Sequence, residues 1–438
     1  MAGCSELAKI ALRNLARHRV KTVLTVLAIM VSVALYIFAD SWITGMSMES
    51  RRNIVNYEMG AAKLQTKLYF EKKDEMPSYE SFANWEVLLE ILDKAGYNAA
   101  PRFVFSGTMF SLDGSAPVVF NAVDPVLDAQ ILRYAKYVEP GPLDLGRYIQ
   151  SGNFEIVVGA FLADKLKLTQ ENNNVQISAT IDIKDEDGKV RHIYQVISAV
   201  VVGVINSPNP VTNANIAYIP LDVLQGEEGM MLEGHITEIL IRDKNAKDSD
   251  LPGKRESAAS IAAALGNNLP AKLKVFTWKD YSADYLGYEK MEAGATKILT
   301  MLLFVLALLG ISNTILMSIL ERTKEIGMMR ALGMTDNQLI LVYMFEAGFL
   351  GLLGSVLGII LGCAINYPVV EYGIDFGSMR EPMGATASFR IAALFRSTWD
   401  VPTIIGTGVV ATLVSSFMAI FPARRATKMP ITDSLRFE

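Results

Sequence analysis

Four apolar runs, Val20–Ile43, Ile298–Leu320, Leu339–Ile365 and Val401–Phe421, interrupt an otherwise mixed sequence. An α-helix rises about 1.5 Å per residue, so about 20 residues cross a hydrocarbon core about 30 Å thick. Each run is long enough, and Ile298–Leu320 contains no charged residue. The pattern predicts a membrane α-helical fold with four transmembrane helices at 20–43, 298–320, 339–365 and 401–421. The polar stretch 44–295 is predicted to be a large water-exposed mixed α+β domain inserted between the first and second spans. An amphipathic helix (1–19), a loop (321–338), a second loop (366–400) and a tail (422–438) complete the chain.

Within the polar stretch both periodicities occur. Ser81–Lys94 carries Phe82, Trp85, Leu88, Leu89 and Leu92 at helical spacing and stops before Gly96. Ala116–Val123, Glu155–Val158 and Ile216–Ile219 read as strands. Val175–Ile183 and Val190–Ile205 read as two long strands joined by Lys184–Lys189, which contains an Asp-Gly turn signal. Ser207-Pro-Asn-Pro210 reads as a loop, and Lys254–Leu265 as a second helix. The first span is predicted to continue as helix to about Tyr57, and Ser282–Ala295 to lead helically into the second. Two such helices would tie the domain to the spans. In residues 5–19, Leu7, Ile10, Ala11 and Leu15 share one face, which suits a helix lying on the membrane surface.

Small residues recur within the runs. Gly354, Gly358 and Gly362 are spaced four apart, with Gly351 adjacent. Lipid supplies no hydrophobic drive between helices, so close approach through small residues supplies the packing. The glycines serve either packing within the chain or an interface between subunits.

Hydrophobic residues make up 51% of 438, with the excess concentrated in the four runs. The formal charge of −5 is unevenly spread. Lys9, Arg13, Arg17 and Arg19 precede the first span against Glu6 alone, and Arg424, Arg425, Lys428 and Arg436 follow the last. The positive-inside rule predicts cytoplasmic termini, an extracytoplasmic domain at 44–295 and a cytoplasmic loop at 321–338. Both cysteines, Cys4 and Cys363, lie outside that domain, so its core is predicted to hold it without disulfides.

Candidate chemistry is sparse. His18, His192 and His235 lack partners at ligand spacing, and no metal site is expected. Asp185-x-Asp187-Gly188 resembles only a fragment of a calcium loop. No catalytic residue is expected, because no nucleophile motif occurs. There is no G-x-x-x-x-G-K-[ST], so no cofactor is expected on this chain, and any ATP and Mg would be bound by another polypeptide. Glu346, inside the third run, is either functional or paired near the inner face. Glu321–Gly333 is amphipathic: Ile326, Met329 and Leu332 lie amid charges, suiting a short helix that docks a partner or rests on lipid.

At Arg322-Thr-Lys-Glu-Ile-Gly-Met-Met-Arg-Ala-Leu-Gly333 the chain resembles the FtsX, macrolide-exporter and lipoprotein-releasing permeases, the type VII ABC transporter family. Ala11-Leu-Arg-Asn-Leu-Ala-Arg-His-Arg19 and Phe421-Pro-Ala-Arg-Arg-Ala-Thr-Lys428 match the same family, as does the span–domain–three-span plan. Ala122-Val-Asp-Pro125, Ile156-Val-Val-Gly159 and Ala217-Tyr-Ile-Pro220 are similar to its lipoprotein-releasing branch. The resemblance implies a MacB-like periplasmic core domain at 44–295 and an FtsX-like permease domain at 298–430. It implies residence in a bacterial inner membrane, a cytoplasmic ABC ATPase dimer and a second permease subunit, identical or homologous. It implies ATPase coupling through Arg322, Lys324, Glu325, Ile326, Met329, Arg330 and Leu332. Lipid and a lipoprotein are the implied ligands, with no nucleic acid. Acyl chains would meet Leu35, Phe38 and Trp42 of the first span and Met301 and Phe304 of the second. Release of lipoproteins is the leading function. Efflux of small amphiphiles or peptides is the alternative, and so is control of a cell-wall hydrolase, although regulators of that kind resemble members with a shorter insert. Lys184–Lys189 lacks the proline-bearing hook with which one lipoprotein-releasing permease recruits a carrier.

Overall fold

The computed structural model describes residues 4–17, 19–139, 146–184, 189–225, 234–321, 323–375 and 394–427. It divides into two compact units. One comprises Met1–Met46, Tyr288–Ile374 and Arg396–Glu438, and the other Ser47–Gly287 with Asp375–Phe395.

The first unit is helical. Its elements are α1 (Cys4–Arg17), α2 (Arg19–Asn53), α3 (Ala283–Glu321), α4 (Thr323–Ala331), α5 (Asp336–Glu371), α6 (Val401–Met418) and α7 (Ile420–Thr427). α2 and α3 run on into the second unit. Among the described residues three helical stretches are long and apolar enough to cross a membrane: Thr22–Met59, Asp336–Glu371 and Val401–Arg425. The run 298–320 lies within α3, but most of its side chains, 299–300, 303–315 and 318–320, fall outside the described residues. Three of the four expected spans therefore stand on described side chains.

Ile29, Val33 and Ile37 of α2 pack with Leu339, Tyr343, Ala347 and Leu350 of α5 and Ile404 and Ala411 of α6. Glycines let these helices close. A Cβ on Gly354 would lie 2.6 Å from Ile29 Cβ, and one on Gly358 2.7 Å from Val33 Cβ. On Gly362 it would meet Ala34 Cα at 3.2 Å, and on Gly351 it would meet Ser415 Cβ of α6 at 2.8 Å. The four glycines thus seat α5 against α2 and α6 of the same chain. Ile10 and Ala11 of α1 also cover protein: Ala11 is sealed against Val342, with Ile10, Leu341, Phe345 and Phe349 around them.

The second unit is built on a mixed sheet. Its strands are β1 (Ala62–Thr66), β2 (Tyr97–Phe110), β3 (Ser115–Val123), β4 (Val138–Glu139), β5 (Glu155–Gly159), β6 (Asn174–Lys184), β7 (Val190–Ile205), β8 (Ile216–Pro220), β9 (Glu238–Asp243) and β10 (Leu273–Thr277). Their order is β10-β1-β9-β2-β3-β8-β5-β7-β4, and β6 bridges β2 and β7. The pairings β2–β3, β3–β8, β8–β5, β5–β7, β7–β6 and β6–β2 close a circuit of six strands. Phe105, Met109, Phe120, Ile156, Ile177 and Ile219 belong to the large core cluster of this unit.

The predicted strands appear within a residue or two of their expected limits. The link between β6 and β7 includes 185–188, outside the described residues, as is the Asp185-x-Asp187-Gly188 fragment. The helix expected from Ser81 begins instead at Glu86. Phe82 is taken into a bridge with Ile236, exchanging backbone bonds of 2.8 and 3.0 Å, and the Trp85 indole donates to Gly234 O at 3.1 Å. Those contacts hold 82–85 outside the helix. Likewise Lys254–Glu256 is a 3₁₀ turn, and the α-helix starts at Ala258 with Ser257 as its cap.

Candidate functional site

Two places stand out: the short helix α4, and the point where α2 and α3 enter the sheet unit.

α4 spans Thr323–Ala331, and Gly333 follows in the left-handed region at φ +95°. Spacing puts Ile326, Met329 and Leu332 on one apolar face, but the helix stops before Leu332. Leu332 swings out and is 89% exposed, while Ile326 is 3% exposed in the cluster of Leu339 and Tyr343. Met329 packs on the same cluster. Two of the three expected docking anchors therefore face the chain's own core. Met328, Leu332 and Lys324 form the exposed set. Arg330 is bonded within the chain, 3.3 Å from Asp336 at the start of α5. Glu325 is half-buried, and Arg322 lies outside the described residues.

Farther along α5, Glu346 is buried at 6% exposure on the face shared with Tyr343, Ala347 and Leu350. It therefore faces the chain's own bundle. Of the residues expected to meet acyl chains, Phe38 and Trp42 come together with ring centroids 6.1 Å apart. Leu35 is exposed, as is Met301. The side chain of Phe304 is outside the described ones.

At the junction α2 remains α-helical through Asn53 and continues as a π-helix, Ile54–Met59, ending at Gly60. Ile54, Val55 and Met59 pack with Trp278, Tyr281, Tyr285 and Leu286, where α3 begins. Both entering helices therefore share one apolar cluster. The opposite side is gripped by polar contacts. Asn56 Nδ2 donates to Asp248 O at 2.8 Å, Arg133 N donates to Asn56 O at 2.8 Å, and Arg133 pairs with the Asp248 carboxylate at 2.7 Å. Arg52 Nε donates to Ser249 O at 2.9 Å. Asn209 Nδ2 donates to Glu58 Oε1 at 2.8 Å.

Asn209 belongs to a sealed loop following β7. There Ser207 N donates to Asn213 Oδ1 at 2.8 Å, and Thr212 Oγ1 donates to Asn209 O at 2.9 Å. The sequence signalled this segment only as a loop. Strands rise about 3.3 Å per residue, so the 16 residues of β7 span about 50 Å, from the hairpin to the loop holding Glu58. The sequence signals the two entering helices but not the bonds that grip them, which join residues up to 197 positions apart.

Elsewhere the described residues of the unit show no catalytic or metal-binding constellation. Among the described residues no group of three His, Cys, Asp or Glu could hold a metal ion. Ser81 Oγ and His235 Nδ1 lie 3.2 Å apart. Burial, with Lys272 nearby, holds the His235 imidazole below its usual value of 6.5. The unfolded chain therefore takes up this proton at a higher pH than the folded one. Stability is expected to fall as pH drops below about 6.5 and to level off below the folded value. Unfolding midpoints of wild type and His235→Gln, compared at about pH 7 and about pH 5, should show a shallower fall in the variant.

Apolar helices that carry a large strand-rich domain between the first and the later ones define a membrane permease with an extracytoplasmic lobe. The MacB-like periplasmic core domain family matches residues 22–252, and the FtsX-like permease C-terminal family matches residues 297–431. The chain belongs to the type VII ABC transporter permease family. It is 25% identical over 326 residues to an uncharacterized ABC transporter permease of Methanocaldococcus jannaschii, covering 70% of this chain and 71% of that one. It is 24% identical to the macrolide export ATP-binding/permease protein MacB of Chromobacterium violaceum, over 99% of this chain and 61% of that protein. It is 23% identical to the lipoprotein-releasing system transmembrane protein LolC of Haemophilus influenzae, over 38% and 39% of the two chains.

Proposed function

We propose that this permease couples ATP hydrolysis on a separate cytoplasmic ATPase to movement of its extracytoplasmic domain, and that the work done is release of lipoproteins from the inner membrane. The carrying observation is mechanical: both helices that enter the domain meet in one apolar cluster, and Glu58 beside it is tied to the end of β7. Motion imposed on α2 and α3 is thereby delivered to the sheet. In this reading both termini and α4 face the cytoplasm, four helices span the bilayer, and a second permease subunit completes the complex. In this reading Leu35, Phe38, Trp42 and Met301 offer acyl chains an apolar surface. Efflux of small amphiphiles is the second reading, supported by the alignment with the macrolide exporter along nearly the whole chain.

Docking of the ATPase rests here on the exposed side of α4. Lys324→Glu with Leu332→Asp reverses a charge, removes an exposed apolar anchor and leaves the bundle core intact. Co-purification of the ATPase should fall about tenfold and become less salt-sensitive, because an attractive charge contact is lost, with the unfolding temperature unchanged. Undiminished co-purification would remove α4 as the docking element. Proteoliposomes containing both subunits then decide the substrate, through ATP-dependent release of a triacylated lipoprotein or export of a macrolide.

A further inference from the structure

The helix entering the sheet unit changes its winding at its most tightly held point. π-Helices are rare, occurring mostly as single turns inside α-helices and often at functional positions. Here one occupies Ile54–Met59, and five of its six residues are buried. It ends at Gly60, whose φ of +68° suits glycine, and a Cβ there would come within 3.1 Å of Ile131 and 3.2 Å of Ile241 O. The exit of the π turn is thus fixed against the sheet, and Asn56 and Glu58 are fixed by the bonds to Asp248 and Asn209.

The entry side differs. Two buried polar atoms around it have no hydrogen-bond partner: Asn53 Nδ2 and Ser282 Oγ. Asn53 is the last α-helical residue of α2, and Ser282 lies between Trp278–Tyr281 and α3. A third orphaned atom, Gln65 Nε2, lies past the exit in β1, where Gln65 Oε1 accepts the Tyr281 hydroxyl at 2.6 Å. Buried polar groups are nearly always satisfied, and each orphan disfavours the arrangement that contains it. Two of them beside a π turn mark an entry side held by the Arg52–Ser249 bond but otherwise poorly satisfied, against an exit side that is firmly held.

We propose that Ile54–Met59 is a register switch, in which the π turn resolves to α-helix and turns α2 by one residue against the fixed Asn56–Gly60 grip. The change corresponds to about 100° of rotation and about 1.5 Å of advance for the entering helix. In the second register Asn53 and Ser282 gain the partners that the first denies them. Packed interfaces are bistable, so a small displacement delivered along α2 becomes a discrete step and not a gradual bend. The inference rests on the permease reading, because the ATPase supplies the displacement.

The test uses the full chain with its ATPase in nanodiscs, nucleotide-free and trapped with ADP and vanadate. Amide exchange over Asn53–Gly60 is expected to change about tenfold between the two states. If the complex binds and hydrolyses ATP while exchange in this segment stays the same, the switch is wrong and the permease reading survives. If no ATPase binds, both fall. Asn53→Leu with Ser282→Ala removes two orphaned atoms. It should raise the unfolding temperature by a few degrees and abolish most of the nucleotide-dependent exchange change. A static π turn would give the higher unfolding temperature with the exchange response intact. A lower unfolding temperature would show that these atoms are satisfied, which also overturns the proposal.

Discussion

Asp128→Ala is expected to destabilise the full-length protein by about 3–5 kcal/mol, the usual effect of removing one partner of a buried ion pair. Arg102 and Asp128 are 2% and 0% exposed, and Arg102 Nε lies 2.6 Å from Asp128 Oδ1. The remaining donors of the guanidinium are directed at Asn121 Oδ1 at 3.4 Å and Tyr134 OH at 3.2 Å. The Tyr134 hydroxyl donates in turn to Asp128 Oδ2. Burial, reinforced by Asp128, pushes the Tyr134 phenol well above its ordinary value, so the hydroxyl remains a donor. Burial opposes the charge on Arg102, but Asp128 and Tyr134 outweigh it and the guanidinium stays ionised. Removing the carboxylate leaves that cation sealed from water. Arg102→Met with Asp128→Leu should recover most of the loss, because a buried pair replaced by apolar residues is often neutral or better. Denaturant titrations followed by tryptophan fluorescence give both values. A single-variant loss under about 1 kcal/mol would mean that water reaches the pair.

Gly358→Leu is expected to separate α2 from α5. The obstacle to a Cβ at Gly358 includes backbone, since Met30 O lies 2.8 Å from the ideal position in addition to Val33 Cβ at 2.7 Å. A flexible side-chain tip could move aside, but the carbonyl of a neighbouring helix moves only with that helix. Overpacking of this kind costs about 1–3 kcal/mol, and more where the seam opens and Val33 and Ile37 lose their contacts. Gly406→Ala is the control, because nothing lies within 4 Å of its Cβ. That substitution should be neutral or mildly stabilising, by up to about 1 kcal/mol. Thermal unfolding in detergent separates the two. Equal midpoints would show that the glycine seam is not what joins these helices.

Much of this fold was legible because its signals are local. The apolar runs declare themselves by length, and β6 and β7 by alternation around an Asp-Gly turn. β2 was illegible because Pro101 and Gly107 interrupt it, and a proline normally argues against an interior strand. The structure tolerates Pro101 because pairing with β3 begins only at Arg102, so the proline has β9 alone as neighbour. Gln65, Arg102 and Glu238 look like surface residues in the sequence and are buried, since their partners lie far away in the chain. For α4 the spacing puts Ile326, Met329 and Leu332 on one face, but the helix ends at Ala331, one residue short of Leu332. Gly333 ends the helix, and Ile326 turned out to serve the core. The junction around Ile54–Met59 was invisible for a similar reason: a π turn has no composition of its own.

The closed ring of strands has a consequence for whatever meets the far end of the β6–β7 hairpin. β6 is bonded on one side to β2, and β7 runs into β5 on the other. Its outer part is braced as well, since Ser78 Oγ donates to Asp182 O at 3.0 Å and Lys184 pairs with Glu80 at 3.2 Å. Such a prong cannot wag independently of its base. A cargo pressed against Tyr194 or Val196 would be pushed by the entire lobe, as by the tine of a fork.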